Sequence, residues 1–271
     1  NFSKPKTGRY LLKQGMSNND VVNMLRSGNQ TALKISFNNQ DTLEKFAGRI
    51  AEQLETDSTS IINAFTKKDF LDKNKLTKKS VLQICIPNSY EFYWTVSATN
   101  FRDKLLREYN RFWNPSRLAK AKALKLSKSQ VITLASIVQK ETAKKIEKPI
   151  VAGLYLNRLK NGWPLQADPT VIYAIKEVKG QDFVVKRVLN VDLEINSPYN
   201  TYKYTGLPPG PIYMSSINSI DAVLNAESHQ YMFFCAKPPE EGQAPNVHAF
   251  AVTHRAHINN ARRYQRWIRT Q

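Results

Sequence analysis

The stretch Leu126-Ser-Lys-Ser-Gln-Val-Ile-Thr-Leu-Ala-Ser-Ile-Val-Gln-Lys-Glu-Thr142 decides how this chain is read. Ser127 followed three residues later by Gln130 is a capping-box pattern, with Leu126 and Val131 at the staple positions, so a helix begins here. Val131, Leu134, Ile137 and Val138 then recur at helical spacing and predict one buried face. Glu141 is the next position on that stripe. A carboxylate on an apolar face is costly to desolvate in its charged form. Burial there would raise its pKa and make it a proton donor near neutral pH. The competing reading ends the helix near Glu141 and swings the side chain out to Lys140, Lys144 or Lys145, which would lower the pKa instead.

Downstream of this helix, Pro149 suits the first turn of another, with Ile150, Val151, Leu154 and Leu159 on its buried side and Gly162 at its end. Asp168-Pro169 has the form of an N-cap followed by proline, opening a short helix through Lys176. Gly206-Leu-Pro-Pro-Gly-Pro-Ile212 reads as a rigid loop of the kind that carries binding groups, because its prolines pre-set an extended path. A helix is expected at about Ser219–Glu227. A strand pair, Tyr231–Ala236 and His248–Val252, should follow across a loop at Pro238–Asn246. A basic helix from about Ala256 ends the chain.

Upstream, Phe101–Trp113 is amphipathic, and Pro115 is expected to stop it. The apolar runs around the two cysteines, Val81–Pro87 and Tyr231–Lys237, both read as strands. Cys85 and Cys235 are therefore expected as buried free thiols, with a single disulfide as the alternative. The first 80 residues read as β-α-β-α-α: a strand at Arg9–Lys13, a helix from Ser17–Asp20 closed by Gly28, a strand through Leu33, Ile35 and Phe37, and helices from Thr42 and Ser60. The lysine-rich segment Thr66–Ser80 marks the expected boundary between residues 1–80 and 81–271. The predicted class is α+β in two parts.

The 271 residues carry 40 basic and 22 acidic side chains, a net charge of +18, which predicts attraction to a polyanion or an anionic surface. Nucleic acid is not expected, since no recognition motif accompanies the charge and the lysines spread along the whole chain. No run reaches the ~18 apolar residues of a membrane span. The sequence starts at Asn1, so a signal peptide or an N-terminal anchor is expected upstream. No P-loop, Gly-x-Gly-x-x-Gly or Gly-x-Ser-x-Gly occurs, and His254 and His257 lack an obvious third metal ligand; neither cofactor nor metal is expected. What remains is glycosidic chemistry with one good acid, Glu141. Most glycosidases use two carboxylates. One suffices where the substrate supplies its own nucleophile, as the C6 hydroxyl of N-acetylmuramic acid does on closing a 1,6-anhydro ring.

Leu134-Ala-Ser-Ile-Val-Gln-Lys-Glu-Thr142, Asn157-Arg-Leu159, Leu165-Gln-Ala-Asp-Pro-Thr-Val-Ile-Tyr173, Tyr199-Asn-Thr-Tyr202 and Gly206-Leu-Pro-Pro-Gly-Pro-Ile212 occur in that order. Together they resemble the MltG (YceG-like) family of endolytic lytic transglycosylases of the bacterial cell wall. Residues 8–28 are similar to its LysM-like N-terminal part, and Ile86-Pro-Asn-Ser-Tyr90 to the entry of its catalytic part. The resemblance implies an enzyme held by one N-terminal helix in the inner membrane and facing the periplasm or cell exterior. It would cut nascent peptidoglycan strands between N-acetylmuramic acid and N-acetylglucosamine, leave 1,6-anhydro ends and so terminate glycan elongation. Peptidoglycan synthases are candidate partners. The catalytic glutamate falls on Glu141, and Gln166, Asp168, Tyr199, Asn200 and Tyr202 fall on positions that line or shape the cleft. A LysM unit runs β-α-α-β, which the order read above does not match. A hydrolytic muramidase and a non-catalytic wall-binding scaffold are the alternative readings.

Overall fold

A computed structural model describes residues 4–239 and 247–271. It divides into two compact units, Asn1–Phe112 and Trp113–Gln271, both helical with one short antiparallel strand pair, an α+β architecture.

The first unit contains α1 (Asn18–Ser27), β1 (Leu33–Ser36), α2 (Leu43–Ala51), α3 (Ser58–Thr66), α4 (Lys68–Lys73), β2 (Ser89–Phe92) and α5 (Ala98–Phe112). Ser17 and Asp20 close a capping box on α1, and Gly28 ends it at φ 72°, the left-handed conformation that favours glycine. β1 pairs with β2 in the register Ile35↔Tyr90. The core gathers Ile35, Phe37, Phe46, Phe65, Phe92 and Phe101 around α2, α3 and α5.

Three expectations fail here. Arg9–Lys13 is not a strand. The Thr66–Ser80 segment contains α4, because Phe70 and Leu71 turn into the core. Val81–Ile84 is a 3-10 turn, because a short apolar run does not by itself distinguish strand from buried helix. The compact units divide after Phe112, since β2 and α5 complete the sheet and core that β1, α2 and α3 begin.

The second unit contains α6 (Pro115–Ala123), α7 (Lys128–Glu141), α8 (Lys148–Lys160), α9 (Asp168–Lys179), α10 (Ile217–Leu224), β3 (Phe233–Ala236), β4 (His248–Ala251) and α11 (His254–Ile268). Pro115 ends nothing; it opens α6 behind an Asn114 cap, because proline lacks the N–H that the first helical position leaves unused. β3 and β4 pair antiparallel, Phe234 opposite Phe250. Part of the expected loop between them, residues 240–246, lies outside the described residues. α7 is the central element: α6, α8, α9 and α10 pack around it, and every residue from Val131 to Val138 is buried. The expected single apolar face is therefore too narrow, with Ile132, Thr133, Ala135 and Ser136 inside as well. Cys85 and Cys235 are both free thiols, Cys85 buried and Cys235 half-buried.

Candidate active site

α7 starts at the capping box read from the sequence: Gln130 N–H donates to Ser127 Oγ at 3.2 Å, and Ser127 N–H to Gln130 Oε1 at 2.8 Å. Its buried polar groups are satisfied by the proline loop that follows α9. Ile212 N–H donates to Ser136 Oγ (3.0 Å), Ser215 Oγ to the Ile132 carbonyl (3.1 Å) and Ser216 N–H to Gln139 Oε1 (2.7 Å). That loop, expected to carry binding groups, braces the helix instead: Pro208, Gly210, Pro211, Ile212, Met214 and Ser215 are buried. A braced, fully packed helix holds its last residue in a fixed place. That residue is Glu141.

Tyr155 of α8 donates its hydroxyl to Glu141 Oε1 at 2.6 Å. Lys140, one of the lysines of the competing reading, sits over the Tyr213 ring, 3.5 Å from its centroid. The Glu141 carboxyl is pushed up to about 7. Burial is the chief cause, the Tyr155 hydrogen bond opposes it, the Asp168 charge adds to it and Arg158 opposes it. Burial likewise raises the Tyr155 pKa well above the usual phenol range, so it stays a donor.

α8 also fixes the chain that enters β3, whose Phe233 and Phe234 line a cavity with Glu141. Asn157 Nδ2 donates to the carbonyls of His229 (2.8 Å) and Tyr231 (3.1 Å). Arg158 Nε donates to the Met232 carbonyl (2.8 Å) and its Nη1 to the Leu165 carbonyl. This contact needs Gly153, because a Cβ there would lie 2.2 Å from the Glu227 carbonyl oxygen.

Two cavities meet at Glu141. The first, of about 450 Å³, is lined by Arg158, Trp163, Gln166, Asp168, Tyr202, Phe233, Phe234, His254 and His257 besides Glu141. Gln166 holds the left-handed conformation at φ 50°, and its N–H donates to the Thr201 carbonyl at 3.0 Å. Tyr202 donates its hydroxyl to Asp168 Oδ1 at 2.6 Å. The second cavity, of about 390 Å³, lies between the end of α7, the β3–β4 hairpin and α11.

The first cavity brings together four of the six residues singled out in the sequence: Glu141, Gln166, Asp168 and Tyr202. The other two do not line it. Tyr199 is 1% exposed and packs on Tyr173, with ring centroids 4.5 Å apart. Asn200 is 0% exposed; it donates to the Leu193 and Ile195 carbonyls and accepts from Tyr202 N–H. Both shape the wall that presents Tyr202. Asp168 is not the cap: Ala167 occupies that position without a side-chain bond, and Asp168 opens α9 with its carboxylate toward Tyr202.

A model of the YceG-like family matches residues 2–263. The chain belongs to that family. Endolytic murein transglycosylase of Bacillus subtilis is 32% identical over 86% of this chain and 67% of its own length. The protein of the same description from Streptococcus pneumoniae D39 is 26% identical over 89% of this chain. The chain spans about half the length (48%) of that pneumococcal relative. A crystal structure of a yceG-like protein from Listeria monocytogenes superposes with a TM-score of 0.70 at 27% identity, covering 92% of this chain and 83% of that one.

Several residues of this YceG-like site carry no signal in the sequence reading. Tyr155 stands fourteen residues from Glu141 and reads as one more apolar position of α8. Arg158 belongs to the quoted Asn157-Arg-Leu159 run, but its reach to Met232, just ahead of β3, is a tertiary fact. His248, for which the sequence suggests at most a substrate contact, donates its N–H to Glu147 Oε1 (2.6 Å) and places Nδ1 2.9 Å from Glu147 Oε2. Among the described residues, no group of three His, Cys, Asp or Glu is placed to hold a metal ion, and no helix is long and apolar enough to cross a membrane.

Proposed function

We propose that this chain cuts murein glycan strands internally by transglycosylation, with Glu141 as the one proton-transfer group. The observation that carries this reading is a carboxyl poised at about 7, oriented by Tyr155, where two cavities meet. Protonated Glu141 donates to the glycosidic oxygen as the C1–O bond breaks, and the N-acetylglucosamine side leaves as an alcohol. The C6 hydroxyl of the N-acetylmuramic acid bonds to C1 and gives its proton to the Glu141 carboxylate. The product is a 1,6-anhydro end, and the acid is restored with no water consumed. Tyr155 keeps the carboxyl aimed; Gln166, Asp168 and Tyr202 offer hydrogen bonds to the sugar.

In this proposal the second unit does the chemistry. The first unit runs β1-α2-α3-α4-β2 with β2 antiparallel to β1, one helix more than the β-α-α-β order of a LysM unit; the strand pair enclosing the helices is the feature that supports a LysM-like reading. A membrane anchor preceding residue 1, action on the outer face of the membrane and peptidoglycan synthases as partners extend the proposal.

Hydrolysis is the second reading, favoured by Asp168, a carboxylate lining the same cavity as Glu141. Mass spectrometry of digested strands separates the two: anhydro ends for transglycosylation, reducing ends for hydrolysis. Glu141→Gln keeps the shape and removes the proton. Turnover is expected to fall by about 10³-fold or more; wild-type turnover in that variant would sink both.

A further inference from the structure

We infer that the second cavity is a subsite for a carboxylate-bearing sugar unit of the glycan, its carboxylate received by Lys144 and Lys237 and its ring by Tyr264 and Trp267. This rests on the reading of Glu141 as the acid that cuts within a strand. An internal cut requires sugar on both sides of the broken bond. Glu141 is the residue common to the two cavities, so a strand lying through both passes its scissile bond beneath that carboxyl.

The two sides differ in chemistry. The first cavity sets Asp168 against Arg158. In the second, Glu141 is the single carboxylate among the described lining residues, and Lys144 and Lys237 are the cations. Tyr264 and Trp267, one turn apart on α11, hold their rings 5.7 Å apart at 31°, a half-buried platform of the kind that a pyranose face covers.

The walls are fixed from beneath by Glu147, 4% exposed. Its carboxylate accepts Thr142 Oγ1 at 2.8 Å and the two His248 contacts, which ties the end of α7 to β4. Burial pushes its pKa up, but the hydrogen bonds from the His248 backbone, the His248 ring and Thr142 outweigh this and hold it below the ordinary value. Glu147 is thus consumed in holding the wall. Lys144 N–H donates to Thr142 Oγ1 at 3.1 Å, and Lys237 N–H to the Val247 carbonyl at 3.0 Å, so both lysines spring from fixed backbone.

A murein strand offers a carboxylate from two sources: the lactyl ether of a stem-free sugar, or the peptide stem, whose attachment converts the lactyl group to an amide. The test measures binding to the full chain carrying Glu141→Gln, which separates it from the chemistry. Its Lys144→Ala/Lys237→Ala derivative and the matching Arg pair are titrated with three strands: stem-bearing, stem-free, and stem-bearing with every carboxylate amidated. The Ala pair is expected to weaken binding about tenfold, the scale of two charge-assisted contacts, on at least one carboxylate-bearing strand. The loss should vanish on the amidated strand, and the Arg pair should restore affinity. Loss on stem-free strands identifies the lactyl carboxylate; loss confined to stem-bearing strands identifies the stem. Equal loss on all three strands, or no loss on any, overturns the subsite. Absence of anhydro ends from the wild type would instead overturn the transglycosylase reading and leave this binding result standing.

Discussion

At the scale of the residue, Glu141 sets the pH behaviour. With its carboxyl at about 7, the proton-donating form is lost as pH rises through that value, so kcat/KM is expected to fall on the alkaline side of about 7. The Tyr155 hydrogen bond stabilises the carboxylate and lowers that value. Removing it in Tyr155→Phe is therefore expected to move the alkaline limb upward by about one pH unit, the worth of one hydrogen bond to a charged group. A pH–rate profile of the two proteins checks the direction, and a downward shift would contradict the hydrogen bond. The same carboxyl makes a stability statement. A folded-state pKa raised above the ordinary 4.5 means that the native state holds the proton more tightly, so this contribution is present at low pH and is lost as pH rises from about 4.5 to about 7. Glu141→Gln never carries the charge. It is expected to be more stable than wild type at pH 8 by about 1–3 kcal/mol and nearly equal to it at pH 4, as denaturant melts at the two pH values would show.

At the scale of the element, α8 does most of the positioning. One face supplies Tyr155 to Glu141, and the next turn supplies Asn157 and Arg158 to the chain entering β3. The site therefore depends on how closely α8 approaches the segment at Glu227. Gly153→Ala places a methyl group where 2.2 Å is available to a backbone oxygen. A loss of about 1–3 kcal/mol is expected, with a matching fall in Tm, because backbone has to move to relieve the overlap. Since β3 carries Phe233 and Phe234 into the first cavity, kcat/KM should fall as well. Gly153→Ala with wild-type Tm would mean that the helix and Glu227 are free to separate.

At the scale of the whole molecule, the +18 charge acts on association more than on chemistry. Screening shortens the reach of exposed charges to about 10 Å at 0.1 M salt and about 3 Å at 1 M. KM for stem-bearing strands is expected to rise several-fold between these conditions while kcat stays within about twofold. Steady-state kinetics on stem-bearing and fully amidated strands checks this; equal salt sensitivity on both would remove the electrostatic account.

The sequence by itself determined what local physics decides. Ser127 with Gln130, Ser17 with Asp20, and Gly28 each announced a helix end, because capping bonds span only a few residues. The 3.6 period placed Glu141 at the end of an apolar helix, and the hairpin of β3 and β4 followed from two short apolar runs. Pro115 shows the limit even locally, since a proline in a sequence is compatible with the stop of one helix or the start of another, and here it does only the second. Tertiary structure alone decided the pairing of β1 with β2, the burial of α7 on every side, the retreat of Tyr199 and Asn200 into the wall and the meeting of two cavities at Glu141. Those depend on contacts between residues tens of positions apart, such as Asn157 with Tyr231 or Glu147 with His248, whose partners no local pattern identifies. A raised carboxyl pKa is a property of surroundings, and the surroundings of Glu141 exist only once α8, α9 and β3 have closed around it.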